Sequence, residues 1–373
     1  MAASFTLLKR DSNSKARLGR LVTAHGAVET PCFMPVGTQG TVKAVLPRDL
    51  RELGCQILLA NTYHLYLRPG HELIRSLGGL HRFMSWDGPI LTDSGGYQVF
   101  SLAATRGITE DGARFQSHLD GSAHLLTPEK AVQIQEALGS DIAMVLDECI
   151  PHDAARDYVH ASTERTVRWA KRCLEARGKA DHKADQMMFG IIQGGLFEDL
   201  RRRCVDEMAP MAFDGFAVGG LGVGEGEQQL NSVGGFTAQL LPEDKPRYLM
   251  GVGRPQDIVN GVRAGFDMFD CVIPTRNGRN GTLFTWQGKL NIKRAEYAND
   301  GRPLDESCGC YCCENFSRAY LRHLYMAGEI LASQLNSLHN LYFYHRLMDK
   351  CRQAIREGRA ELWPKWLEAD ALT

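Results

Sequence analysis

Ile142-Ala143-Met144-Val145-Leu146-Asp147-Glu148-Cys149 is a run of apolar residues that stops abruptly at two acids and a thiol. Consecutive apolar residues without alternation mark a strand buried on both faces, as in a parallel sheet covered by helices. The segment in front of it, 127–138, reads as an amphipathic helix, with Thr127 as N-cap, Pro128 at the first helical position and Glu129 in the first turn. The same unit recurs in both directions. Short apolar runs bounded by turn residues lie at 32–36, 56–60, 89–91, 142–146, 189–192, 216–218, 248–250 and 268–273, most of them separated by helix-like sequence. Eight such units predict an α/β protein folded as a (β/α)8 TIM barrel. An open doubly wound sheet would have fewer strands and a glycine fingerprint for phosphate. Segments 1–30 and 105–126 fit neither barrel strand nor helix and are expected to be small antiparallel additions or loops. The expected organisation is one barrel over 1–373, decorated at about 1–30, with a small subdomain at 285–345 inserted after the last strand.

Bulk properties fit this frame. The chain has 373 residues, 44% hydrophobic and 23% charged, the composition of an ordinary globular enzyme. Met1 leads into polar, basic sequence (Lys9, Arg10, Lys15, Arg17), and no apolar run is long enough for a signal peptide or membrane span, so a cytoplasmic protein is expected. In that setting the 11 cysteines read as buried thiols plus a metal site rather than disulfides. The net charge of −1 leaves any nucleic-acid contact to local patches. Arg201-Arg202-Arg203, the stretch 276–279, and Lys293-Arg294 are the candidates, although such runs are usually solvated faces.

Barrel enzymes place their chemistry at the C-terminal ends of the strands. Here those ends are polar: Thr92-Asp93-Ser94-Gly95-Gly96-Tyr97, Asp147-Glu148-Cys149, Gln193-Gly194-Gly195, Gly219-Gly220-Leu221 and Gly251-Val252-Gly253. Asp270 stands inside the last run, in Phe269-Asp270-Cys271-Val272. A buried carboxylate is costly unless paired or used, which makes Asp270 a catalytic candidate; a structural, hydrogen-bonded Asp is the bland alternative. Asp93, ahead of a pair of glycines that let backbone N–H groups face a ligand, is a second candidate, although Asp-Ser-Gly is also common turn chemistry. Two carboxylates at one mouth suit a nucleophile and a general acid/base at a glycosidic carbon.

Cys308-Gly309-Cys310-Tyr311-Cys312-Cys313, followed by His339 after 25 further residues, supplies a Cys3His ligand set. Cys308, Cys310, Cys313 and His339 fill a tetrahedral zinc shell and leave no open position, so the expected role of Zn2+ is structural. Cys312 is spare in the C-x-C-x2-C spacing, and His345 and His323 are weaker alternatives to His339.

Taken together, Thr92-Asp93-Ser94-Gly95-Gly96-Tyr97, Asp147-Glu148-Cys149, Ile192-Gln193-Gly194, Ala217-Val218-Gly219-Gly220-Leu221, Phe269-Asp270-Cys271-Val272-Ile273-Pro274-Thr275-Arg276-Asn277 and the zinc pattern closely resemble the tRNA-guanine transglycosylases, over nearly the whole chain. The resemblance implies a zinc-containing (β/α)8 barrel. It implies exchange of guanine at wobble position 34 of GUN-anticodon tRNAs (Asp, Asn, His, Tyr) for 7-aminomethyl-7-deazaguanine (preQ1), towards queuosine. Asp270 would be the nucleophile at ribose C1′ and Asp93 the proton carrier. Asp147 would accept from the N1–H and amine edge of the base, Gln193 and the Gly220 N–H would donate to O6, and Tyr97 would stack on the purine. Ser94, Gly95, Gly96, Cys149, Leu221 and Met250 would complete the base pocket. Gly251-Val252-Gly253-Arg254-Pro255-Gln256-Asp257 and Thr275-Arg276-Asn277-Gly278-Arg279 would contact the tRNA.

Cys149 and Val223 match the bacterial branch, whose members form homodimers, and the end at Thr373 without a further RNA-binding domain argues against the archaeosine branch. Gly278, where alanine is often found, and Cys312 depart from the family pattern. Two rivals stand beside this reading. A non-catalytic tRNA-binding partner subunit should have lost its acids, whereas Asp93 and Asp270 are both present; a zinc-dependent barrel hydrolase needs a metal with an open position.

Overall fold

The computed structural model describes residues 3–102, 106–178 and 185–364. Eight strands, β1 (Cys32–Gly37), β2 (Leu58–Ala60), β3 (Ile90–Thr92), β4 (Ile142–Met144), β5 (Met187–Ile192), β6 (Gly215–Val218), β7 (Arg247–Leu249) and β8 (Met268–Cys271), form one closed parallel barrel in chain order. Closure is made by β8 on β1, with Met268 opposite Cys32 and Asp270 opposite Met34. Each expected run holds a barrel strand, and the strands are buried along their whole length, which is why their sequences do not alternate.

The ends differ from the apolar runs. Val145 and Leu146 are fully buried but lie beyond β4, and Val145 N–H still donates to Phe189 O at 3.1 Å. The last strand stops at Cys271 because the chain turns into the helix Ile273–Arg279, with Pro274 in its first turn. The helix Pro128–Leu138 is capped as its sequence predicts: Thr127 Oγ1 accepts from Lys130 N–H at 3.1 Å, and Gly139, at φ 70°, ends it.

Ser4–Arg10, Arg17–Thr23 and Gly26–Thr30 form an antiparallel sheet, and Arg106–Ile108, Ala113–Gln116 and Ala123–Leu126 form another. Residues 1, 2 and 105 of the expected additions, and the chain end at Thr373, lie outside the described residues. Arg17 ties the first sheet to the N-terminal pole of the barrel through Asp267, the residue before β8, with Nε donating at 3.0 Å. The opposite pole is thereby left for the site.

After β8 come the hairpin Thr282–Thr285 and Gly288–Asn291, then the helices Tyr311–Asn315, Arg318–Met326 and Ile330–Glu357. They enclose a second, smaller apolar cluster that includes Leu283, Leu304, Leu321 and Leu335. The long helix Ile330–Glu357 serves both cores, since Leu341, Tyr344 and Leu347 pack into that of the barrel. Among the described residues no helix is long and apolar enough to cross a membrane.

Candidate active site

Asp93 follows β3, Asp147 lies just beyond β4, Gln193 follows β5, Gly219 and Gly220 follow β6, Met250 and Gly251 follow β7, and Asp270 sits within β8. Ordinary barrel geometry therefore brings residues far apart in the chain to one mouth.

Asp270 is 9% exposed. Its Oδ1 accepts from Tyr248 Oη–H at 2.6 Å and from Gly251 N–H at 2.7 Å. No donor reaches Oδ2 among the described residues, so the lone pairs of this oxygen are unengaged. Burial raises the Asp270 pKa, and the two donors oppose that rise. Tyr248 is fully buried and held well above its ordinary pKa by burial and by Asp270, so it remains a donor.

Asp93 is equally enclosed. Its Oδ1 accepts from Thr62 N–H at 2.8 Å, and its Oδ2 from Asn61 Nδ2 at 2.5 Å and Gln98 Nε2 at 2.8 Å. Burial raises its pKa to about 6 against these donors, with a further push from the charge of Asp270. The charge of Asp270 thus reaches Asp93 across the low-dielectric mouth and favours its protonated form.

Asp147 accepts from Ser94 Oγ–H at 2.9 Å and from Gln193 Nε2 at 2.7 Å, and burial raises its pKa against both donors. Among the described residues, Gln193 Oε1 is buried without a hydrogen-bond partner. Glycine is needed around these groups: a Cβ on Gly96 would lie 2.6 Å from Asp147 O, and one on Gly220, at φ +67°, would lie 2.4 Å from Gln193 Oε1. A cavity of about 260 Å³ adjoins Asp147, with Gly96, Val99, Phe100, Cys149 and Tyr158 in its wall. Tyr97, next to Gly96 in the chain, is 51% exposed. Leu221 is buried, and Met250 is half-buried.

The two expected RNA segments are less exposed than a contact surface. Gly251 is exposed, but Val252, Gly253, Pro255 and Asp257 are buried, Gln256 is half-buried, and Arg254 pairs with Asp257 and Glu227 at 2.7 Å each. In the other segment Thr275 and Gly278 are buried, and a Cβ on Gly278 would press on the backbone of Asn336 and Ser337 at 2.9 Å. The alanine that the resemblance favours at 278 thus needs a different seating of the long helix. Arg276 is exposed, Asn277 is half-buried, and Arg279 keeps a buried Nη1 that has no partner among the described residues.

Asn61, Thr62, Gln98 and Tyr248 escaped the sequence reading. Asn61-Thr62 follows β2 as Asp93 follows β3, so a polar strand end was there to be noticed; nothing local marks Tyr248, whose hydroxyl meets Asp270 only through strand pairing.

Away from the mouth, the Sγ atoms of Cys308, Cys310 and Cys313 lie 3.8, 3.5 and 3.3 Å from His339 Nδ1. A tetrahedral zinc with ordinary bond lengths separates sulfur and nitrogen ligands by about 3.5 Å. His339 Nε2 meets Phe284 O at 2.8 Å; this carbonyl can only accept, so it fixes the tautomer and leaves Nδ1 free for a metal. The four side chains form a group that can hold one metal ion. Cys312, fully buried in the neighbouring apolar cluster, is outside it, as are His323 and His345.

A family model described as queuine tRNA-ribosyltransferase matches residues 11–370. The chain is 59% identical over 366 residues to the queuine tRNA-ribosyltransferase of Solidesulfovibrio magneticus, covering 98% of this chain and 97% of the relative. It is 57% identical over 359 residues to that of Pelotomaculum thermopropionicum, with 96% of both chains covered. With a closed barrel, carboxylates converging on its mouth and similarity along almost its full length, the chain belongs to the queuine tRNA-ribosyltransferase family.

Proposed function

We propose that the protein is a tRNA-guanine transglycosylase of bacterial type that replaces guanine at wobble position 34 of GUN-anticodon tRNAs with preQ1. The observation that carries this reading is the pairing of Asp270, with one carboxylate oxygen held and the other unengaged, with Asp93, raised to about 6 at the same mouth.

In the first half-reaction Asp270 Oδ2 attacks C1′ of nucleotide 34. The C1′–N9 bond breaks, its electron pair leaves with guanine, and Asp93 supplies a proton to the departing base. In the second half the N9 lone pair of preQ1 attacks C1′, the bond to Asp270 breaks, and the N9 proton passes to Asp93. One glycosidic bond replaces another, so no external energy source is required. Asp147 accepts from the N1–H and amine edge of either base. Gln193 has two amide hydrogens, one committed to Asp147 and the other available to O6, with Gly220 N–H as a second donor. Tyr97 covers the purine face. The base must leave its stack to enter, which an anticodon loop makes inexpensive because it is single-stranded. Arg276 and Arg279, with segments 251–257 and 275–279, would hold the loop through phosphate contacts that weaken with salt.

Zinc, held by Cys308, Cys310, Cys313 and His339, would cross-link a subdomain at 285–345 and take no part in the base exchange. The exposed rings of Tyr311 and Tyr320, which flank the half-buried Phe316 at centroid distances of 5.8 and 5.4 Å, support a homodimer contact on that subdomain. The base choice is tested by supplying GUN-anticodon tRNA with labelled preQ1, queuine or guanine in turn. Incorporation of preQ1 and guanine but not queuine is expected; efficient queuine incorporation would sink the bacterial assignment.

Asp93 also sets a pH signature. Below about 6 it is protonated and can donate; above that it is ionised and can accept. Covalent adduct formation in single turnover should therefore slow as pH rises through about 6, while base capture by the preformed adduct should quicken with rising pH over a lower range, because the ester removes the Asp270 charge that helps to raise Asp93. Rapid-quench measurements of both half-reactions decide this, and limbs that survive in Asp93→Asn would remove Asp93 from the proton path.

A further inference from the structure

The run Arg201-Arg202-Arg203 has the sequence of a solvated basic face, and Arg202 and Arg203 behave as one: Arg202 lies over the Phe236 ring, and Arg203 pairs with Glu164 and Glu207. Arg201 does not. It is fully buried in the helix Glu198–Met208, and no carboxylate pairs with it among the described residues. Its Nε donates to Gly195 O at 2.8 Å, Nη1 to Ile192 O at 3.3 Å and Nη2 to Gly219 O at 3.0 Å. Ile192 and Gly195 bracket Gln193 at the end of β5, and Gly219 precedes Gly220 at the end of β6. One planar guanidinium therefore fastens the loop that carries Gln193 to the loop that carries Gly220.

The spacing of those loops is tight. A Cβ on Gly219 would lie 2.7 Å from Gln193 Nε2, and one on Gly220 would lie 2.4 Å from Gln193 Oε1. The Gln193 amide is thus wedged against β6 while it donates to Asp147 at 2.7 Å. A buried cation without a counter-ion is costly, and a core position of this kind would be filled more favourably by an apolar side chain if support were its whole task. The fork of three donors in one plane is what this junction uses, and lysine lacks it.

We infer that Arg201 is a positioning residue for base selection, holding Gln193, Asp147 and the Gly220 N–H in one recognition edge by tying the ends of β5 and β6 together. The inference rests on the base-recognition role proposed above for Gln193 and Asp147.

A double-mutant cycle on full-length protein tests it, with KM for guanine, KM for tRNA and melting temperature measured for Arg201→Lys, Gln193→Ala and the double variant. Arg201→Lys should raise the base KM about tenfold while the tRNA KM stays within about twofold, and it should raise it clearly less in the Gln193→Ala background, where only Asp147 and the Gly220 N–H are left to misplace. A lowered melting temperature with wild-type base KM, or effects that simply add in the double variant, would overturn the inference. An unchanged base KM in Gln193→Ala alone would instead remove the recognition reading beneath it. Should Arg201→Lys fail to fold, Gly219→Ala loads the same Gln193 amide from β6, and an unchanged base KM there overturns the inference equally.

Discussion

Asp270→Ala is expected to abolish exchange of labelled guanine into tRNA, by about 10⁴-fold or more, while tRNA binding remains measurable. Alanine removes the carboxylate proposed to bond C1′, and the neighbouring groups are otherwise engaged: Tyr248 is a donor, and the Asp93 carboxylate accepts from Asn61, Thr62 and Gln98. Alanine also leaves the buried Tyr248 hydroxyl and the part-buried Gly251 N–H without their acceptor, a loss of about 1–3 kcal/mol for the buried hydroxyl alone. Asp270→Asn separates the two effects, because its amide oxygen can still accept from both donors while the nucleophilic carboxylate is gone. Wild-type protein mixed with tRNA should give a tRNA-linked band on a denaturing gel, and both variants should lack it. Undiminished exchange in either variant would exclude Asp270 as nucleophile.

Removal of the metal should act on a different property. Structural zinc contributes on the order of 10 kcal/mol or more to the folding of small modules, and here the connection runs further than the knuckle. His339 lies in the helix Ile330–Glu357, whose Asn340 donates to Pro274 O at 2.9 Å and whose Tyr344 Oη–H donates to Gly253 O at 2.5 Å. Loosening that helix therefore releases the segments after β7 and β8 as well. Chelation, or His339→Ala, is expected to lower the melting temperature and expose 285–345 to protease before any selective change in the base-exchange step appears. A metal-free protein that stayed folded and dimeric yet was inactive would contradict the structural role.

The barrel was legible in the chain because burial on both faces forces each strand into a continuous apolar run, and because helix caps such as Thr127 act over a few residues. The strand ends were read less well: Val145 and Leu146 are as apolar as β4 but lie beyond its ladder, since pairing, not hydrophobicity, defines where a strand stops. Asp93, Asp147, Gln193 and Asp270 stood out as polar residues at the close of buried runs. Their protonation states did not, since these depend on desolvation and on donors from other strands.

The three arginines show the limit most clearly. Local sequence treats Arg201, Arg202 and Arg203 alike, yet helical geometry turns Arg201 into the barrel and leaves its neighbours in water. The sequence alone determined the eight-strand barrel, the Cys3His cluster that can hold a metal and the acids at the mouth, because local burial patterns and short residue spacings carry that information. Only the tertiary structure decided which oxygen of Asp270 is free, what holds Asp93 and Gln193, and which arginine is buried, because each of these is a contact between segments that the chain order keeps apart.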